Sequence, residues 1–299
     1  MMHDLSLFGW RLRSSVEIDI LAAWTGDPDH PVDVTMEEGP APQIPASNPA
    51  DVVLLDDDSA VVIIEGVGRF HVIGGRHVIA DILPDVPTGV VDTTFIGPVF
   101  GTLCYQRQIQ SFHCNTVVVD GKAVALSGPS GTGKSTLAAV LVSRGHQLIS
   151  DDVMAVDYND GLTFARTGNR HLRLWRDSLE LLGYSTDGLR RAAMGERDKY
   201  FLPARPGLLA DRWPLKALIW IESTPTHTDQ LNYLVGAQRA NVVACAVYRR
   251  HLLHDYVRRG HSKLADLTLP GTDVFQMTRP RDLDRIGAQA DAIEQLARS

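Results

Sequence analysis

The chain reads as an α/β protein: a small β-rich domain over residues 1–90, then a P-loop α/β domain over 91–299. Three observations predict this. Short β-branched and aromatic runs, broken by Gly, Pro and Asp, fill the first ninety residues. A strand, a glycine loop and a helix follow one another directly around residues 122–145. Beyond them, apolar strand-length runs alternate with segments of helical period.

In the first part the strand candidates are LFGWRLR, DVVLL, AVVIIEG, RFHVIG and RHVIADI. Gly74–Gly75 reads as a hairpin turn and GVG at 66–68 as a turn or bulge. EEGPAPQIPASNPAD, rich in proline and small residues, reads as an exposed connection. From about Thr93 to Gln110, Phe95, Val99, Leu103 and Ile109 fall on one side of a helix, with Pro98 tolerable only near its first turn. TVVVDGKAVALSG then gives two strands joined at Asp120–Gly121. The helix after the glycine loop stops at Gly145, and the strand LIS is expected beside the loop's own strand. LRLWRDSLELLGY enters a short helix, PLKALIWIE is a buried strand, and residues 236–259 read as one long helix. A strand, an Arg-Pro turn and a final helix close the chain.

Composition sets limits. An apolar content of 44% and a charged content of 22% suit a globular core. The net charge of −7 argues against nucleic acid as a partner. No apolar run reaches membrane-spanning length, and MMHDLSLFGWRLRSS lacks a secretory-signal pattern, so no membrane partner is expected. The three cysteines, Cys104, Cys114 and Cys245, have no metal-like spacing and fit a reducing cytoplasm. Asp56–Asp58 and the cluster Arg249, Arg250, Arg258 and Arg259 read first as solvated faces, the basic one also as a hold for an acidic partner.

Gly128-Pro129-Ser130-Gly131-Thr132-Gly133-Lys134-Ser135 fits the Walker A pattern in its required strand–loop–helix setting. Its glycines bring backbone N–H groups around phosphate oxygens, and the following helix adds its positive end. Lys134 is placed to reach the β- and γ-phosphates, Ser135 to hold Mg²⁺, and Thr136 to bond the α-phosphate. Asp151 and Asp152 lie seventeen and eighteen residues past Lys134, at the end of a strand where open α/β sheets bind ligands. Along an extended chain they would point opposite ways: one carboxylate for the metal, the other for a hydroxyl proton, unless one only caps a turn. His113 precedes the hairpin and could return beside the loop; spacing leaves a structural histidine equally open.

The stretch HCNTVVVDGKAVALSGPSGTGKSTLAAVLVSRGHQLISDD resembles the catalytic core of the HPr kinase family. The resemblance is tight over about residues 100–160. It implies the mixed-sheet P-loop fold shared with phosphoenolpyruvate carboxykinases. It further implies ATP and Mg²⁺ as cofactors, Asp152 as base, Lys134 on the transferred phosphate, Ser135 and Asp151 at the metal, and a supporting His113. FIGPVFGTLCYQRQIQSFHC, LRLWRDSLELLG, PLKALIWIE and MTRPRDLDRI resemble a subgroup that phosphorylates lasso-peptide precursors on serine. The Glu-Ile-Arg-Gly signature of the bifunctional members is absent, with LRLWRDSLELL in its place; this argues against phosphorolysis and against the HPr protein as substrate. Lys199 is the choice for a further contact to the transferred phosphate, with Arg197 second.

The expected function is therefore a cytoplasmic serine kinase acting on a small protein or peptide. The bifunctional relatives are hexamers, so a homo-oligomer is among the expectations. A kinase of a metabolite hydroxyl and a nucleotide-responsive regulatory module with little turnover are the alternatives. A decarboxylating carboxykinase would need a second metal set of His, Lys and Asp that this sequence does not assemble.

Overall fold

The computed structural model describes residues 1–44, 51–193, 198–204, 210–224, 228–280 and 283–298. The amino-terminal third forms strands β1 (His3–Leu7), β2 (Trp10–Ser14), β3 (Val34–Glu38), β4 (Val52–Leu54), β5 (Ser59–Ile64), β6 (Gly68–Ile73) and β7 (His77–Ile82). They make one seven-stranded sheet, ordered β1-β2-β3-β7-β6-β5-β4. Its pairs are antiparallel except β2–β3 and β3–β7. LFGWRLR is two strands, not one: Phe8 and Gly9 take positive φ and turn the chain between β1 and β2. The turn at Gly74–Gly75 joins β6 to β7, with both glycines at positive φ.

The helical connection starts earlier than its sequence suggests. Helix α1 (Thr88–Thr94) runs through a π-turn at Phe95–Val99 into α2 (Phe100–Gln106). Pro98 therefore sits in the middle of a continuous helical stretch. The wider turn accommodates its missing N–H, which a first-turn position would otherwise have to do. The ring of Phe100 stacks on Phe8 at 4.0 Å, fastening this helix to the amino-terminal sheet.

The second sheet contains β8 (Ser111–Phe112), β9 (Cys114–Val119), β10 (Lys122–Ser127), β11 (Gln147–Ser150), β12 (Met154–Asn159) and β13 (Leu162–Arg166). It is completed by β16 (Arg212–Ser223), β17 (Gln230–Tyr233) and β18 (Asp273–Arg279). β14 (His171–Trp175) and β15 (Lys199–Pro203) form a separate ribbon. The sheet is mixed: β10 is parallel to β16 and antiparallel to β9, and β16 is parallel to β18. β11 pairs with β9, not with β10, so the strand LIS stands one place further from the loop's strand than expected. The hairpin strand β9 has been inserted between them.

Helices α3 (Lys134–Ser143) and α7 (Ile286–Arg298) cover one face of this sheet, over Val117, Val119, Val124 and Leu126. The other face shares a core with α1, α2, α5 (Gly236–Ala246), α6 (Leu253–Arg258) and the amino-terminal sheet. Both faces being covered explains why β9 and β10 read as nearly unbroken apolar runs. Helix α4 (Arg176–Leu181) follows β14.

Residues 236–259 are not one helix. α5 ends at Ala246, Val247 bridges to Phe112, Arg249 adopts φ 49°, and α6 resumes after a short 3₁₀ turn. Tertiary pairing to β8 has overridden helical propensity here. The break also divides the basic cluster. Arg249 pairs with Asp51, and Arg259 reaches Asp57 at 3.7 Å, so both arginines tie α5–α6 to the β4–β5 region. No helix among the described residues is long and apolar enough to cross a membrane.

The turn at Tyr248 carries a test of packing. A Cβ on Gly101 would stand 2.6 Å from the Tyr248 ring, and Tyr248 is buried. Gly→Ala within a helix normally gains up to about 1 kcal/mol. Here Gly101→Ala is expected instead to cost about 1–3 kcal/mol by overpacking. Chemical denaturation measures it, and a variant as stable as the parent would refute the contact.

Candidate nucleotide and phosphoryl-transfer site

β10 delivers the chain into Gly128–Gly133, and α3 begins at Lys134. Gly128 has φ 139° and faces the Ile221 carbonyl so closely that a side chain would collide. Gly133, at φ 82°, is the residue that caps α3. The loop opens on a cavity of about 410 Å³. Ser130, Gly131, Thr132, Gly133, Lys134, Ser135 and Thr136 line it. Gly128 and Pro129 lie behind it: their carbonyls accept hydrogen bonds from Lys134 Nζ at 2.7 and 3.0 Å. Burial lowers the Lys134 pKa. Thr136 Oγ1 is 2.9 Å from Ser178 Oγ, which ties α3 to α4.

His113, Asp151, Asp152 and Lys199 also line this cavity, so the structure brings together every residue singled out for chemistry except Arg197, which lies outside the described residues. The aspartates are arranged differently from expectation. Val153 N–H bonds back to the Asp151 carbonyl at 3.0 Å, and Asp152 takes φ 74°, so the pair forms a tight turn. An extended chain would have sent the two carboxylates apart. The turn makes them converge on one guanidinium, Arg173. Arg173 Nε is 3.0 Å from Asp151 Oδ2, and its Nη2 is 2.7 Å from Asp152 Oδ1.

Each carboxylate has a second partner. Asn115 Nδ2 donates to Asp151 Oδ1, and the Ser135 hydroxyl stands 3.5 Å from Asn115 Oδ1. His113 Nδ1 lies 3.4 Å from Asp152 Oδ1 and 3.1 Å from its main-chain oxygen. Burial would raise the Asp152 carboxyl, but Arg173 and then His113 outweigh it and hold the group at about 2. Burial raises Asp151, against Arg173. Burial lowers His113, with Asp152 opposing. Asp152 is thus an anion throughout the physiological range.

Lys199 stands opposite Trp175 in the β14–β15 ladder, its Nζ 5.5 Å from the indole centroid, and its charge acts on both aspartates. Sequence reasoning missed Arg173, Asn115 and Arg279. Two of them left a signal: Asn115 and Arg173 are polar residues inside otherwise apolar strands, CNTVVV and HLRLW. A fully buried strand does not carry such a residue without a partner. Chemically, the site is a cavity with the positive end of a helix, four cationic side chains (Lys134, Arg173, Lys199 and Arg279) and an ionised carboxylate. It can hold a polyphosphate and place an acceptor beside it.

Residues 106–183 match the family model described as the HPr Serine kinase C-terminal domain. That segment contains the whole glycine loop, both aspartates, Asn115 and Arg173. The chain is 42% identical over 60 residues to an HPr kinase/phosphorylase of Chlorobium phaeobacteroides strain BS1, covering 20% of this chain and 18% of the relative. It is 49% identical over 47 residues to the one from Pelodictyon phaeoclathratiforme, covering 16% and 14%. The chain thus spans less than a fifth of the length of the curated relatives it matches. Among solved structures, the HPr(Ser) kinase/phosphatase from Coxiella burnetii is similar at 17% identity and a TM-score of 0.34, over 63% of this chain and 88% of that one.

Proposed function

We propose that the protein is an ATP- and Mg²⁺-dependent kinase that transfers the γ-phosphoryl group to a serine hydroxyl of a small protein or peptide. The observation that carries this reading is Asp152: an ionised carboxylate lining the phosphate-loop cavity, fixed from two sides by Arg173 and His113. The serine oxygen attacks the γ-phosphorus, the bond to the β-γ bridging oxygen breaks, and ADP leaves. Asp152 accepts the hydroxyl's hydrogen bond and then its proton. With a carboxyl held at about 2, Asp152 aims the nucleophile more than it abstracts from it. That suits a loose phosphoryl-transfer transition state, in which positioning counts for more than basicity. Lys134 and Lys199 would bear on the transferred group. Ser135 and Asp151 are oxygen donors lining the same cavity and suit a hard divalent cation. Mg²⁺ held there would neutralise charge on the β- and γ-phosphoryl oxygens.

The narrower proposal for the acceptor is a lasso-peptide precursor, on the resemblance of the segments flanking the site. The matched relatives carry HPr and phosphorylase in their names. This chain has LRLWRDSLELL where the Glu-Ile-Arg-Gly signature of the bifunctional family members would stand, which supports transfer in the kinase direction only. Labelled ATP, Mg²⁺ and either acceptor test the reading together. Label on a peptide serine is expected, and label released solely as inorganic phosphate with every acceptor would reject it.

A further inference from the structure

We propose that Arg279 is an electrostatic positioning residue for the nucleotide's phosphates: a buried guanidinium held against the phosphate loop, whose balancing negative charge arrives with the bound polyphosphate. The inference rests on the nucleotide site proposed above.

Arg279 is the last residue of β18, which lies beside β16 and so one strand further from β10. It therefore emerges at the same end of the sheet as the glycine loop. It lines the cavity, yet is only 5% exposed. Its Nη2 donates to the Thr132 carbonyl at 2.5 Å, and its Nη1 to Gln289 Oε1. Both acceptors are uncharged. Its Nε is buried without a hydrogen-bond partner among the described residues. The acid that acts on it, Asp229, is already engaged: Gln289 Nε2 donates to it at 2.8 Å and Arg285 pairs with it at 2.8 Å.

Gly133 completes the setting. A side chain there would collide with the Arg279 guanidinium, so the cation sits directly against the residue that caps α3. Burial lowers its pKa, with Asp229 opposing, but a guanidinium stays protonated. The fold thus holds a desolvated cation next to a helix's positive end, in a cavity that Lys134 and Arg173 also line. Without a bound anion that arrangement is unfavourable, because a buried charge needs a counter-charge. A polyphosphate in the loop supplies one. Sites that trade stability for ligand affinity have this character.

The consequence has a sign that scaffolding alone would not give. In Arg279→Met, without nucleotide, the thermal midpoint is expected to stay or rise. The dissociation constants for ADP and for inorganic pyrophosphate, measured by calorimetry, are expected to rise roughly tenfold or more. Arg279→Lys keeps the charge without the fork and is expected to restore affinity to within about threefold of the parent. Three results would overturn the proposal: a Met variant less stable but unchanged in affinity, a Lys variant as weak as Met, or a parent protein that does not bind pyrophosphate. None of these measurements needs an acceptor. Binding without transfer would sink the kinase reading and leave this one standing.

Discussion

Asp152→Asn is expected to lower phosphoryl transfer by about 10²–10⁴-fold while leaving the affinity for ADP within a few-fold of the parent. Asparagine keeps the size and the hydrogen-bonding oxygen of the residue but cannot take a proton, and it loses the charge that pairs with Arg173 at 2.7 Å. Arg173 and His113 both stand against Oδ1, so the asparagine carbonyl oxygen can keep that place while the amide replaces Oδ2. The two readouts must be taken together. Initial rates with labelled ATP report the chemistry, and calorimetry with ADP reports the loop. A variant retaining more than a tenth of the parent's transfer rate would remove Asp152 from the reaction. Because the parent carboxyl is held at about 2, it remains ionised from pH 5 upward, and an acidic limb in the rate profile within that range would belong to another group.

Arg173→Met should produce the largest loss of stability of any single substitution in the site. The guanidinium is buried and touches two carboxylates, one of them fully enclosed. Removing one partner of a buried ion pair costs about 3–5 kcal/mol, since the remaining charges lose their compensation without regaining water. The pH dependence follows from the direction of the shifts. In the parent, Asp152 is depressed from 3.8 to about 2, so its contribution is complete above the unfolded value and fades as pH falls from about 4 towards 2. In the variant both carboxyls lose the cation that holds them down, and burial raises them. Their penalty is then greatest at neutral pH and is relieved by protonation on acidification. The gap in unfolding free energy between parent and variant should therefore narrow between pH 7 and pH 4.5. Denaturant titrations at both values measure it, and a gap that widened would contradict the arrangement.

The sequence exposed what is local and hid what is assembled. The glycine loop, the Asp120–Gly121 and Gly74–Gly75 turns and the buried strand β16 each announce themselves within a dozen residues, because glycine, turn chemistry and apolar runs act at short range. The aspartates were visible, but their geometry was not. Whether a pair of residues after a strand continues extended or turns depends on what receives the side chains, here Arg173 from a ribbon some twenty residues downstream. The break in residues 236–259 was hidden for the same reason: nothing around Val247 stops a helix until Phe112 offers it a bridge. Arg279 was out of reach altogether. Its meaning lies in Thr132, Gln289 and Asp229, which no spacing rule connects.

Gly97, in the π-turn, occupies the point where a methyl group would stand 3.2 Å from the Tyr248 hydroxyl and 3.6 Å from Asp152 Oδ2. A few residues along, the same helical stretch presents Phe100 to Phe8. The floor under the Asp152 carboxylate and the anchorage of the amino-terminal sheet are consequently one piece of backbone. Transplanting the glycine loop and its aspartates into another framework would carry over the chemistry's participants but not the surface they lean on.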